Sequence, residues 1–153
     1  MRTPRIADPR VCSIDAAVRV VGEKWALLAV RELMLGATRF DEIVAATGAP
    51  RDRLAARLRA LEETGIVRRE QYQERPARHS YHLTEAGEQL YAIVHLMRDW
   101  GDRFVRDDPE HVVVFRHECG KPWQPEVRCA GCDELVEPGS LTAERDVRVS
   151  DLA

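Results

Sequence analysis

Residues 38–65, TRFDEIVAATGAPRDRLAARLRALEETG, admit few folds. Phe40, Ile43, Val44 and Thr47 recur at i, i+3, i+4 and i+7, one stripe of a helix. Gly48-Ala49-Pro50 then breaks the stripe: Gly suits a helix C-terminus and Pro the first turn of the next helix. From Arg51 onward, Leu54, Leu58 and Leu61 mark a second stripe, and Gly65 ends it. The stretch therefore reads as two short helices joined by a tight turn, with arginines on the free face of the second. That is the DNA-reading helix-turn-helix pattern. Any αα-hairpin shares it, so the rest of the chain has to decide.

A length of 153 residues allows one domain, or one domain plus a small appendage. Hydrophobic residues make up 44% of the chain, enough for a core, and no apolar run approaches the length of a membrane span. MRTPRIADPRVC at the start lacks the apolar stretch of a signal peptide, so a cytoplasmic location is the default. The net charge of −3 argues against a nucleic-acid partner until it is divided. Residues 1–105 carry 17 Lys+Arg against 15 Asp+Glu, residues 106–153 carry 6 against 11, and residues 51–78 carry 8 against 5. Positive charge thus gathers on the second helix and the segment behind it. Only Lys24 and Lys121 are lysines; the other cations are arginines, whose planar fork suits phosphate and guanine.

Residues 1–11 read as a flexible arm. Ser13 can cap a helix whose apolar positions are Ile14, Ala17, Val18 and Val21. After Gly22, EKWALLAVRELMLG is apolar on most sides, which predicts a central, largely buried helix ended by Gly36. Behind Gly65 the period changes to two. One strand runs to Tyr72, residues 73–79 form a charged tip, and Ser80-Tyr81-His82-Leu83 is the second strand. A hairpin directly after a reading helix is a wing. Thr84 can cap a long helix through Arg106, with Leu90, Val94, Met97, Gly101 and Phe104 in one stripe widened by Ile93 and Trp100. Such a stripe packs into the chain's own core or forms a homodimer seam.

The run from Cys12 to Phe104, about 60% of the chain, resembles the HxlR-type winged helix-turn-helix regulators, relatives of the MarR group. The matching pieces are Cys12 before the first helix, GEKW at 22–25, LLAVREL at 27–33 and RF at 39–40. LRALEETGIVRR at 58–69, PARHSYHLTEAGE at 76–88 and DWG at 99–101 continue it in the same order. The resemblance implies an α+β, mainly α chain: a winged helix-turn-helix with a two-stranded wing and a long C-terminal dimerisation helix over residues 12–105. It also implies a dimeric cytoplasmic regulator of operator DNA that is not an enzyme.

With Leu54, Leu58 and Leu61 inward, Asp52, Arg53, Ala56, Arg59 and Ala60 point away and Arg51 and Arg57 lie at the edges. The N-terminal half enters the major groove in similar proteins, which selects Arg51, Asp52, Arg53, Ala56 and Arg57 as base-facing. Ala55 and Ala56 stand where the family has polar residues, so the base sequence read here is open. Arg78 matches a wing arginine for the minor groove, Arg75 is placed at phosphate, and Arg39 can hold the backbone from the other side.

Cys12 near a helix N-terminus favours a thiolate, and the resemblance makes it either a redox sensor or a small residue at the dimer seam. His117, Cys119, Cys129 and Cys132 lie outside the resemblance. They form H-x-C-G and C-x-x-C with nine residues between Cys119 and Cys129, the spacing of two zinc knuckles, with His111 as a substitute for His117. Residues 106–137 therefore read as a zinc-ribbon-like appendage holding a structural Zn²⁺, and 138–153 as a flexible tail. A metal-free remnant or a redox C-x-x-C are the other readings of the pattern. The whole chain reads as a homodimeric operator-binding regulator, responsive to an oxidant or small molecule. The alternatives are a thiol-redox or metal-dependent enzyme using C-x-x-C, and a DNA-silent protein-binding adaptor.

Overall fold

The computed structural model describes residues 13–108 and 113–142, and Cys12 and His111 lie outside them. The elements run in the order α1 (Ser13–Val21), α2 (Lys24–Met34), α3 (Phe40–Thr47), α4 (Arg51–Glu63), β1 (Val67–Glu74), β2 (Ala77–Leu83), α5 (Glu85–Glu88) and α6 (Leu90–Phe104). Two compact units divide the chain, with the boundary inside α6 between Arg98 and Asp99. Among the described residues no helix is long and apolar enough to cross a membrane.

The core of the first unit is assembled by α2, α3 and α4. From α2 come Ala26, Ala29, Val30 and Leu33, from α3 Ile43, and from α4 Leu54, Leu58 and Leu61, all buried. Ala49 in the α3–α4 turn and Val67 at the start of β1 complete it. Alanines on α2 keep its buried face thin, so the three leucines of α4 can approach closely and fill the space. Burying each such leucine stabilises the fold by roughly 1.5–3 kcal/mol. Only one face of α2 is fully buried: Leu27 and Leu28 are half-buried and Leu35 is exposed, less burial than its apolar composition suggests. Glu32 is buried on the same helix, and the guanidinium of neighbouring Arg31 neutralises it.

Both helix junctions follow their local chemistry. Gly48 ends α3 in the left-handed region at φ 66° and donates its N–H to the Val44 carbonyl at 2.9 Å. The Thr47 hydroxyl donates to the Ile43 carbonyl (2.6 Å) and accepts the Ala49 N–H (3.2 Å), which fixes the turn. At the start of α3, the Glu42 carboxylate accepts the N–H groups of Arg39 (3.0 Å) and Thr38 (3.1 Å). Those two bonds hold its pKa below the usual carboxylate value.

β1 and β2 form an antiparallel hairpin from Val67 opposite Leu83 to Glu74 opposite Ala77. The strands are longer than the alternation of the sequence indicates: the charged run 73–79 continues the ladder, and only Arg75-Pro76 remains as the tip. Polar residues can extend these strands because most of the hairpin faces water and needs no apolar alternation. Tyr72 is the extra residue of a bulge between Gln71 and Gln73. The hairpin is tied down at its base, where Tyr81 donates its N–H to the Thr38 carbonyl (2.8 Å) and Arg39 bridges Ser80.

The long helix expected from Thr84 is broken. Thr84 does act as a cap, accepting the Gly87 N–H (3.2 Å) while its hydroxyl donates to the Gly65 carbonyl (2.6 Å). Only α5 follows, and Gln89 separates it from α6. Gly87 is buried beneath the end of the preceding hairpin connection; a Cβ there would lie 2.3 Å from the Ile66 carbonyl oxygen and 3.0 Å from Leu83. Because the clash is with backbone, Gly87→Ala is expected to destabilise the chain by about 1–3 kcal/mol. Denaturant unfolding checks this; a variant as stable as the parent would show that α5 does not depend on this close approach.

Candidate nucleic-acid interface

The turn at Thr47–Pro50 delivers α4 with its leucines inward, and the exposed side follows from the rotation that this imposes. Arg51, Asp52, Arg53 and Ala56 are exposed, as is Arg59. Arg57 is half-buried and Ala60 is less open than the helical projection implies. Arg51 is held against α3, with Nη1 2.8 Å from the Asp41 carboxylate and its guanidinium over the Phe40 ring at 4.9 Å. Arg57 reaches the start of α2, 3.4 Å from the Glu23 carboxylate. Among the described residues Arg53 forms no ion pair. The N-terminal half of α4 thus offers one arginine with its fork open and two that acidic side chains already orient. Asp41 and Glu23 are participants that sequence reasoning missed, since neither sits at a helical spacing from its arginine.

The wing is joined to this helix by packing and charge. Val67 enters the common core, and Arg69 on β1 pairs with Glu62 on α4 at 3.5 Å. Arg75 stands at the hairpin tip and Arg78 opposite Gln73, both exposed and neither in an ion pair among the described residues. Along β1, Arg68 pairs with Glu70, which His82 also approaches at 3.6 Å, so that part of the strand is internally balanced. Arg39 precedes α3 and places its guanidinium over the bulged Tyr72 ring at 5.5 Å. The bulge that aims Tyr72 toward Arg39 has no sequence signature.

In the second unit, Cys129 and Cys132 lie on one turn, and the N–H groups of Gly131 and Cys132 point at the Cys129 sulfur. These bonds, with a smaller contribution from the Cys132 thiol, hold the Cys129 pKa below the usual thiol value. His117 and Cys119 share a separate turn, where Nδ1 accepts the Cys119 N–H at 3.3 Å. Among the described residues no group of three or more His, Cys, Asp or Glu side chains stands within range of one metal ion, so the four expected ligands are brought together in pairs and not as a set.

An exposed cationic helix behind a tight turn, with a basic hairpin packed on its far end, has counterparts among known proteins. Residues 20–109 match the model of the HxlR-like helix-turn-helix family. The uncharacterized HTH-type transcriptional regulator Rv3095 of Mycobacterium tuberculosis is 37% identical over 133 residues, 86% of this chain and 84% of that protein. Among solved structures, PA1607, a candidate transcription factor, is similar with a TM-score of 0.79 and 28% identity, covering 89% of this chain and 96% of that one. The redox regulator HypR in its oxidized form is similar over 63% of this chain and 100% of its own, with a TM-score of 0.57 and 36% identity. The chain belongs to the HxlR-like helix-turn-helix family of transcriptional regulators.

Proposed function

We propose that this chain is a homodimeric, sequence-specific regulator that reads operator DNA with α4 in the major groove and the β1–β2 wing at the minor groove. The observation that carries the reading is the cationic N-terminal half of α4, where Arg53 is exposed and, among the described residues, free of ion pairs while Arg51 and Arg57 are oriented by acidic neighbours. Arg53 takes the base-reading role, because a free bidentate fork discriminates guanine by about 1–3 kcal/mol. Asp52 and Ala56 complete the exposed surface beside it. Arg78 serves the minor groove, Arg75 a phosphate, and Arg39 the backbone from the wing base.

The dimer follows from apolar surface. Ile14 (73% exposed) and Val18 on α1, and Tyr91, Ile93, Met97, Trp100 (60%) and Phe104 (72%) on α6, face outward. Large side chains of this kind at helical spacing on two helices fit a second copy of the same chain. The similar HypR is a redox regulator, which supports a reading in which Cys12 of this chain is the thiol of a cytoplasmic oxidant response. The relatives are transcription factors, which supports a role without catalysis.

Four outcomes test this reading. After selection of bound genomic fragments, Arg53→Ala is expected to weaken operator binding by ~1–3 kcal/mol and relax one base position. Measured by fluorescence anisotropy on the selected operator, Arg78→Ala should weaken binding and reduce the salt slope by about one. Unchanged affinity at physiological salt for Arg78→Ala overturns the wing assignment. Met97→Asp is expected to yield monomers in sedimentation and to abolish operator binding, and a stable dimer moves the seam elsewhere. Diamide should release the operator reversibly from the parent and not from Cys12→Ser; release that persists in the variant removes Cys12 as the sensor.

A further inference from the structure

Residues 113–142 contain two hairpin turns built on one plan. In the first, the Trp123 N–H donates to the Phe115 carbonyl (2.8 Å), Arg116 bridges Pro122, and the His117 N–H donates to the Lys121 carbonyl (3.1 Å). In the second, the Val136 N–H donates to the Val127 carbonyl (2.9 Å), Arg128 bridges Leu135, and the Cys129 N–H donates to the Glu134 carbonyl (2.9 Å). Each turn reverses at a left-handed residue, Gly120 at φ 82° and Asp133 at φ 59°. In each, the bridging arginine donates Nη1 to the carbonyl of that residue: Arg116 to Gly120 at 3.1 Å and Arg128 to Asp133 at 2.8 Å.

The equivalence carries the chemistry with it. His117 and Cys129 each follow the bridging arginine, and Cys119 and Cys132 each precede the left-handed residue. The backbone N–H two residues on points at the first donor in both turns, from Cys119 to His117 Nδ1 and from Gly131 to Cys129 Sγ. The second turn is longer by one residue, which accounts for H-x-C in one place and C-x-x-C in the other.

No buried core holds these turns in shape. No residue between 113 and 142 is buried, and Phe115, Trp123, Pro125 and Val136 are only half-buried. A segment of this size without a core needs a staple, either a disulfide or a metal. The cysteines here are free.

We propose that the two turns close on one Zn²⁺ held by His117, Cys119, Cys129 and Cys132. Three thiolates and one imidazole suit zinc, and four protein ligands make the site structural, with no position left for a substrate. Arg116 and Arg128, fixed on the two turns, offset the excess negative charge of the thiolates. Because the donors stand as two pairs in the present arrangement, metal binding is coupled to an approach of the turns.

The test uses full-length protein purified without chelator. Elemental analysis is expected to find about one zinc per chain, lost in Cys129→Ser and in Cys119→Ser. Replacement by Co²⁺ in the unaltered chain should give thiolate-to-cobalt charge transfer and the intense visible bands of a tetrahedral ion. Chelator treatment should open residues 113–142 to proteolysis while the circular dichroism of the helices is kept. Metal-free protein after zinc supplementation overturns the proposal. So does a Cys129–Cys132 disulfide by mass spectrometry, or about half a zinc per chain retained in a His117→Ala, Cys119→Ser double variant. The last result would place the metal between two C-x-x-C turns of different copies.

Discussion

Everything that α4 presents outward depends on how three leucines sit inward. Leu54, Leu58 and Leu61 are spaced by four and three residues, and all three are buried in the core they share with α2 and α3. That spacing leaves the helix one rotational setting. A rotation of one residue, about 100°, would carry Leu58 into water and Arg57 or Arg59 into the apolar layer, and the burial of an unpaired guanidinium is far costlier than the exposure of a leucine. The alanines of α2 matter for the same reason, since larger side chains at Ala26 or Ala29 would push α4 off its seat.

The short elements around α4 are held by polar side chains acting locally. Glu42 accepts two backbone N–H groups ahead of α3, Thr47 fixes the turn after it, and Thr84 joins the end of the hairpin to the Gly65 turn. Each satisfies groups that a helix or strand end leaves without a partner inside its own element. Glu42 adds a sign to this. Its folded pKa is lowered, so its contribution is present above the unfolded carboxylate pKa and fades as pH falls through the lowered value. The wing gains a fixed root where Thr38 and Arg39 pair with Ser80 and Tyr81, which matters because two strands alone are marginal.

How far the sequence reveals this varies with the kind of constraint. The α3–turn–α4 pair is legible because burial periodicity, Gly48 and Pro50 all act within a few residues of one another. The break at Gln89 is not, because no proline or glycine stands at that point of the run, and the close approach of Gly87 to the Ile66 carbonyl just before it is a contact between positions far apart in the chain. The hairpin is legible as a hairpin, but its length is understated, since solvent-facing polar strands carry no alternation. In the candidate interface the arginines can be named from helical geometry. Their partners Asp41 and Glu23 depend on how α3 and α2 cross α4, which no local pattern encodes. Likewise the spacing of His117, Cys119, Cys129 and Cys132 is visible, whereas the repeated hydrogen-bond plan around them is a property of the folded backbone.

The internal ion pairs on the reading helix bear on how few side chains can specify a sequence. Ala56 and the half-buried Ala55 leave α4 little polar surface beyond its arginines, and two of those are engaged with Asp41 and Glu23. Exposed pairs of this type are worth only about 0–1 kcal/mol, because solvent screens them and two long side chains must be ordered. A bidentate guanine contact contributes roughly 1–3 kcal/mol of discrimination. The release of Arg51 from Asp41 therefore costs less than the proposed base contact would return, so the pair orients the guanidinium more than it retains it. Arg57 is the different case, since it is half-buried and its stem packs against the protein. It is better placed to meet a phosphate near the helix than to extend to a base edge. In the proposed reading, specificity then rests on Arg53 and Arg51, together with whatever groove shape the wing selects.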